Sequence, residues 1–160
     1  MSHTSKISSI KIVDLGAFNQ AVNDLQAQGL QIEVRHNEVP KAYYDNQEGL
    51  NTPAHTVLKI AGVPYDVALY ESDVKGQYEL RTDFFMGAVA DALGADQAYI
   101  STIDTSTEEG REEVEQAQLG KLYQRYAYNA VMNTVAMQGG SVEEHVGADG
   151  EIQLVIRNAA

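Results

Sequence analysis

QRYAYNAVMNTVAMQGGSVEEHVGADGEIQLVIR, residues 124–157, decides the fold class. Its first half repeats apolar residues at helical spacing, its middle breaks at Gly139 and Gly140, and its end alternates apolar and polar residues with period two. Extended upstream, the helical pattern places Leu119, Leu122, Tyr123, Tyr126, Ala127, Ala130 and Met137 on one face, with Lys121, Gln124, Arg125 and Tyr128 pointing away. The paired glycines stop the helix because they tolerate the left-handed backbone of a C-terminal cap. Val142 and Val146, then Ile152, Leu154 and Ile156, read as two strands joined across Ala148, Asp149 and Gly150. The chain therefore ends in a helix followed by a β-hairpin.

Outward from that stretch, the rest is read the same way. Ile10 and Ile12 alternate with polar neighbours and predict a short first strand. Asp14 stands where an N-cap belongs, Leu15, Phe18, Val22 and Leu25 follow at helical spacing, and Gly29 supplies the stop. Leu30, Ile32 and Val34 then alternate with Gln31, Glu33 and Arg35, a half-buried strand. From His36 to Ala54 the pattern dissolves into turn formers, a loop long enough to draw attention to Tyr43 and Tyr44. Three strands are predicted near Thr56 to Ile60, Tyr65 to Tyr70 and Tyr78 to Phe84. Ala88 to Leu93 predicts a short helix, and Ala98 to Ile103 an additional strand. The simplest assembly is α+β: an antiparallel sheet with the two main helices packed on one face. The opposite face, carrying Glu33, Arg35, Glu79, Arg81, Glu143 and His145, is expected to be wetter or covered by a partner.

At 160 residues the chain fits a single domain, 1–160, able to bury its own core. No apolar run approaches the roughly eighteen residues that cross a bilayer, so no membrane partner is expected. Met1 to Ser9 is polar and lacks the apolar block of a secretory leader, which points to the cytosol. With no cysteine, disulfides, thiolate nucleophiles and cysteine-held metals are excluded. The net charge is −12, a sign that repels phosphate backbones and argues against direct nucleic-acid binding.

The opening MSH with its alternating isoleucines, the hairpin YDVALYESDVKGQYEL, and QRYAYNAVMNTVAMQGG with its closing DGEIQLVI carry a likeness. Together they resemble the family called domain of unknown function twelve fifty-seven, which includes hypothetical chloroplast reading frame thirty-five proteins of cyanobacteria and plastids. The resemblance covers about two thirds of the chain, and implies the same α+β fold and a bacterial, plastid or phage setting. It implies no reaction. The chain departs from the pattern in a loop insertion near 40–54 and an acidic insertion near 87–115.

Candidate chemistry is sparse. His3, His36, His55 and His145 are scattered singly, and Glu143 and His145 are the one pair that strand alternation puts on a common face, so no metal site is expected. No GxSxG elbow, phosphate loop or dinucleotide fingerprint is present, and no cofactor is implied. Glu108, Glu109, Glu112 and Glu113 begin a helix capped by Thr107, where acidic residues complement the helix dipole. They also offer an acidic docking patch. Arg125 and Tyr128 are candidate anchors for a protein partner, being residue types that concentrate binding energy at interfaces. The leading expectation is a noncatalytic protein-binding or regulatory protein in an oligomer or complex. Small-molecule binding or catalysis through Tyr43 and Tyr44 with His36 or His55 is one alternative; an acidic, phage-type nucleic-acid mimic is another.

Overall fold

The computed structural model describes residues 11–146 and 152–157. Helix α1 (Leu15–Ala27) starts where Asp14 Oδ1 accepts a hydrogen bond from the Ala17 amide. It buries Ala17, Phe18, Ala21, Val22 and Leu25, the stripe that a 3.6-residue period predicts. Gly29 ends it at φ +105°, which lets the Leu30 amide reach back to the Leu25 carbonyl.

Four strands follow, β1 (Ile32–Glu38), β2 (Ala54–Ile60), β3 (Val67–Glu71) and β4 (Tyr78–Thr82), in an antiparallel meander of order β1-β2-β3-β4. The register pairs Ile32 with Ile60, Leu58 with Val67, and Leu69 with Leu80. These side chains share one face and join a single core with α1 and the long helix α5 (Gly120–Met137), whose Leu122, Tyr123 and Tyr126 are buried. Phe18 is the largest fully buried side chain, and removing it from water contributes roughly 2–3 kcal/mol. The α+β architecture with helices on one sheet face is thus present. The terminal hairpin is present too, as β5 (Ser141–Val146) and β6 (Ile152–Arg157), a sheet of its own.

Several expectations are corrected. Ile12 forms only an isolated bridge with Tyr78, each donating its amide to the other's carbonyl; Ile10 lies outside the described residues, as does the turn at 148–150. β1 runs on to Glu38, shortening the loop to 39–53. Ala98 to Ile103 is not a strand. Asp96 caps a one-turn helix, α3 (Gln97–Ile100), through the Tyr99 amide, a local side-chain bond that alternation does not reveal. The short helix near Ala88 is present as α2 (Ala88–Ala92), and the Thr107 cap starts α4 (Glu108–Gln118) as expected. Met137, placed by spacing on the apolar face of α5, is 89% exposed, because the helix outruns the core at its last turn.

The second sheet face is covered in part by the chain itself, while Glu33 and Arg35 on β1 stay exposed as expected. Val57, Ala68 and Tyr70 form a smaller core with Ala54 and Leu50, and Ala42 packs against it, so the loop roofs this face. Glu143 and His145 lie on the separate terminal hairpin, since among the described residues β5 pairs with β6 alone. Among the described residues no helix is long and apolar enough to cross a membrane.

Candidate functional site: an aromatic platform and a charged cavity

The loop from Pro40 to Pro53 is ordered by side chains of the sheet it covers. Asp66 Oδ2 accepts from the Lys41 amide at 2.8 Å and from Lys59 Nζ at 2.7 Å, and the Asp66 amide donates to the Lys41 carbonyl. The Tyr70 hydroxyl donates to the Thr52 carbonyl at 2.7 Å, and Arg81 donates to the Gly49 carbonyl at 3.1 Å while stacking over the Tyr70 ring. Asp83 completes the set: one carboxylate oxygen accepts from the Tyr43 amide at 2.8 Å and the other from the Phe85 amide at 3.0 Å. Among the described residues Asp66 and Asp83 are the two buried acidic ones, and these bonds offset their desolvation.

Asp83 therefore fixes two separate loops side by side. The Tyr43 ring lies 4.2 Å from Phe85 and meets Tyr44 edge-on at 4.7 Å, with buried Tyr65 beneath both Tyr43 and Phe85 at 6.4 Å. Burial pushes the Tyr65 phenol upward, and the charge of Asp83 adds to it. Tyr43 and Phe85 remain about half exposed, Tyr44 is 69% exposed and Met86 81%. Met86 sits at φ +61°, a left-handed conformation that costs an ordinary side chain about 1 kcal/mol and here turns its thioether outward. Tyr43 and Tyr44 were legible as candidates; Phe85, Met86 and the organising Asp83 were not. The available signal was the apolar run Phe84-Phe85-Met86, too long for the alternation of the strand before it.

The other predicted residues occupy different places. Arg125, expected to point away, is mostly buried at the α1–α5 seam, where its Nε and a terminal nitrogen reach Asp24 Oδ2 at 3.0 and 2.7 Å. Asn129 donates to the same oxygen at 2.9 Å. Burial raises the Asp24 carboxyl, but the bonds from Asn129 and Arg125 and the guanidinium charge outweigh it, leaving a net downward shift. Tyr128 lies under the Arg125 guanidinium at 4.3 Å, and its phenol is pushed up by burial and by Glu144. Next to Arg125 in the chain, the Tyr126 hydroxyl accepts from the amides of Val13 and Asp14. This polar row locks the two helices together. Arg125 is committed inside the molecule.

The four glutamates also separate. Glu108 and Glu109 are exposed in the first turn of α4, Glu113 accepts a hydrogen bond from the Tyr99 hydroxyl, and Glu112 faces a cavity. His36 and His55 contact each other and the Thr56 hydroxyl, and His55 meets Tyr78, so their ring partners are not those of Tyr43. The Thr56 hydroxyl lies 2.8 Å from His55 Nδ1, but Thr56 is only 2% exposed and its oxygen is out of reach of a substrate. His145 sits 3.5 Å from Glu143, which also pairs with Arg157. Among the described residues no three histidines or carboxylates converge to hold a metal ion; His3 lies outside them.

The cavity, about 390 Å³, opens between β4, residues 47–50 of the covering loop, and the α4–α5 junction. Leu50, Leu119 and Tyr123 border it but are nearly inaccessible, so the surface it exposes is mostly polar. Lys11, Glu48, Glu79, Arg81, Glu112 and Glu115 supply charge around it. Burial, with the charges of Glu115 and Glu79 behind it, raises the Tyr123 phenol to about 12. Burial and then the neighbouring Glu112 push the Glu115 carboxyl up. The platform can bind through apolar area and ring faces, the cavity through charged groups of both signs. Compared with models of known protein families, with curated proteins and with solved structures, the chain matches none.

Proposed function

We propose that this is a noncatalytic protein-binding protein, a component of a complex, that docks a partner on the platform of Tyr43, Tyr44, Phe85 and Met86. The observation that carries the reading is the placement of these side chains by a buried carboxylate that holds two loops in register while leaving the rings outside. Exposed rings held rigidly lose little conformational entropy on binding, and tyrosine and other aromatics concentrate energy at interface centres. At −12 the chain repels a second copy of itself and attracts a basic surface, so the charge favours a different, basic protein over self-association. The resemblance to an uncharacterised family is compatible with this reading and adds no partner.

The test compares the native chain with Tyr44→Ser combined with Met86→Gly, two exposed positions whose change leaves the core untouched. A direct partner captured from the cell of origin should bind the native protein and lose at least about tenfold in affinity, near 1.4 kcal/mol, for the double variant. A control at the far end of the molecule, Glu143→Gln, should bind normally. Equal binding by all three, or a strictly monomeric native mass with nothing retained, overturns the proposal.

A further inference from the structure

Strand β1 is a sheet edge, and among the described residues no strand pairs with its outer side. The opposite edge differs, because Ile12 bridges β4 at Tyr78. The register of β1 on β2 decides which backbone groups the free edge presents. Ile32 stands opposite Ile60 and the Ala61 amide donates to the Gln31 carbonyl, so Gln31, Glu33 and Arg35 turn their amides and carbonyls toward β2. Ile32, Val34 and His36 therefore turn theirs outward. The Gln26 side chain, on α1, already donates to the Ile32 carbonyl at 2.8 Å, which leaves Val34 at the centre of the unpaired groups. Val34 is 38% exposed, and Glu33, Arg35 and His36 are exposed around it. Outward amides and carbonyls accept a further strand, and charged side chains ordinarily guard an edge against one. Here the charges are of opposite sign on either side of Val34: Glu33 and Arg35 share a face, 2.6 Å apart. Laid antiparallel on itself about Val34, the strand sets each Glu33 against the other copy's Arg35, at positions where Cβ atoms approach to about 5 Å. Val34 then meets Val34, and Ile32 meets His36. The shortest slide in either direction that keeps the outward groups facing sets Glu33 against Glu33 or Arg35 against Arg35. Charge thus selects a single register.

We propose that β1 pairs with β1 of a second copy across a two-fold axis at Val34, joining two four-stranded sheets into one. The net charge of −12 opposes association at long range, but salt screens it beyond about 8 Å, whereas the crossed Glu33 and Arg35 contacts act at close range. The platform stays free for a different protein, since the Phe85 turn follows β4 at the other edge of the sheet. One strand pair buries less than a standard interface, so the expected dissociation constant is about 100 μM. Sedimentation equilibrium on the full chain, from about 5 to about 500 μM at about 0.15 M salt, tests it. The native chain should dimerise reversibly. Val34→Pro removes an outward amide without touching the ladder to β2 and should be monomeric throughout. Glu33→Arg and Arg35→Glu should each weaken the dimer at least about tenfold, and the double swap should restore it to within about threefold. Glu33→Arg is decisive because it makes the chain less negative, so net charge alone would tighten the dimer. Amide exchange on the native chain should slow at Val34 and His36 as concentration rises; thermal melting checks that each variant folds. A native chain that stays monomeric overturns the proposal, as does a dimer that survives Val34→Pro, tightens with Glu33→Arg or is not rescued by the double swap.

Discussion

Two helical glycines give opposite expectations on alanine substitution, and the contrast tests how α4 is seated. On helix propensity alone, glycine to alanine stabilises a helix interior by up to about 1 kcal/mol. At Gly110, in the first turn of α4 and buried, a Cβ would stand 1.6 Å from the backbone carbonyl oxygen of Asp104. Carbon and carbonyl oxygen need about 3.3 Å, so the 104–107 turn would have to retreat by roughly 1.7 Å. That turn is not free to move. Asp104 accepts from the Ser106 amide and hydroxyl, and Thr107 Oγ1 caps the helix through the Gly110 amide itself. Overpacking against fixed backbone costs about 3 kcal/mol, and the propensity gain reduces the net loss to about 2 kcal/mol. For a chain of this length, that lowers Tm by about 6 °C. At Gly120, the first residue of α5, no atom lies within 4 Å of the added carbon, so Gly120→Ala should raise Tm by about 1–2 °C. Calorimetric melting of both variants is the assay, with amide exchange across 104–112 as a local readout. A Gly110→Ala protein as stable as the native chain, with unchanged exchange in that turn, refutes the packing argument.

Two further outcomes follow from the helix seam and the buried Tyr123. Asp24→Ala leaves the mostly buried Arg125 guanidinium without its carboxylate and should cost about 2 kcal/mol at pH 7, below the full cost of a buried pair because Asp24 is a third exposed. Since the folded Asp24 pKa is lowered from 3.8, its contribution is present above that value and lost as pH falls through the folded one, so denaturant curves of variant and native protein should converge in acid. Tyr123, raised to about 12, should be missing from the phenolate absorbance step near pH 10. The phenol binds its proton longer folded than unfolded, so its contribution is complete below pH 10 and lost as pH rises toward 12. Tyr123→Phe should remove the last part of the titration; an unchanged high-pH step would contradict its burial.

Where the sequence carried a local physical signal, the structure follows it. Asp14 and Thr107 were legible as caps because a capping oxygen acts on amides three residues away. The strands of the meander were legible because burial on one face imposes alternation, although Phe84 and Phe85 blurred the end of β4. The α3 turn was misread because Ala98, Tyr99 and Ile100 suit a strand until the Asp96 cap is taken into account. Arg125 was misplaced for a different reason. Helical periodicity locates the apolar stripe, but cannot show that a polar row at its border meets Asp24 from a helix a hundred residues earlier. Asp66 and Asp83 were invisible for the same cause: a buried acidic residue becomes intelligible only when its distant amide donors are known.

The partly covered second face changes the grounds for recognition. An open sheet face beside two helices would itself have been the binding surface, and its apolar residues Val57 and Ala68 would have been the anchors. Here the chain's own loop occupies that face, tied through Asp66, Tyr70, Arg81 and Asp83. Binding capacity is displaced to the loop's two margins. At one margin Tyr43 and Tyr44 meet the Phe85 turn; at the other, residues 47–50 close the cavity against α4. Both margins depend on bonds from the sheet to backbone groups of the loop, which fix its path whatever side chains its tip carries. A loop held in this way lets surface residues vary while their positions stay constant, a division of labour suited to recognition.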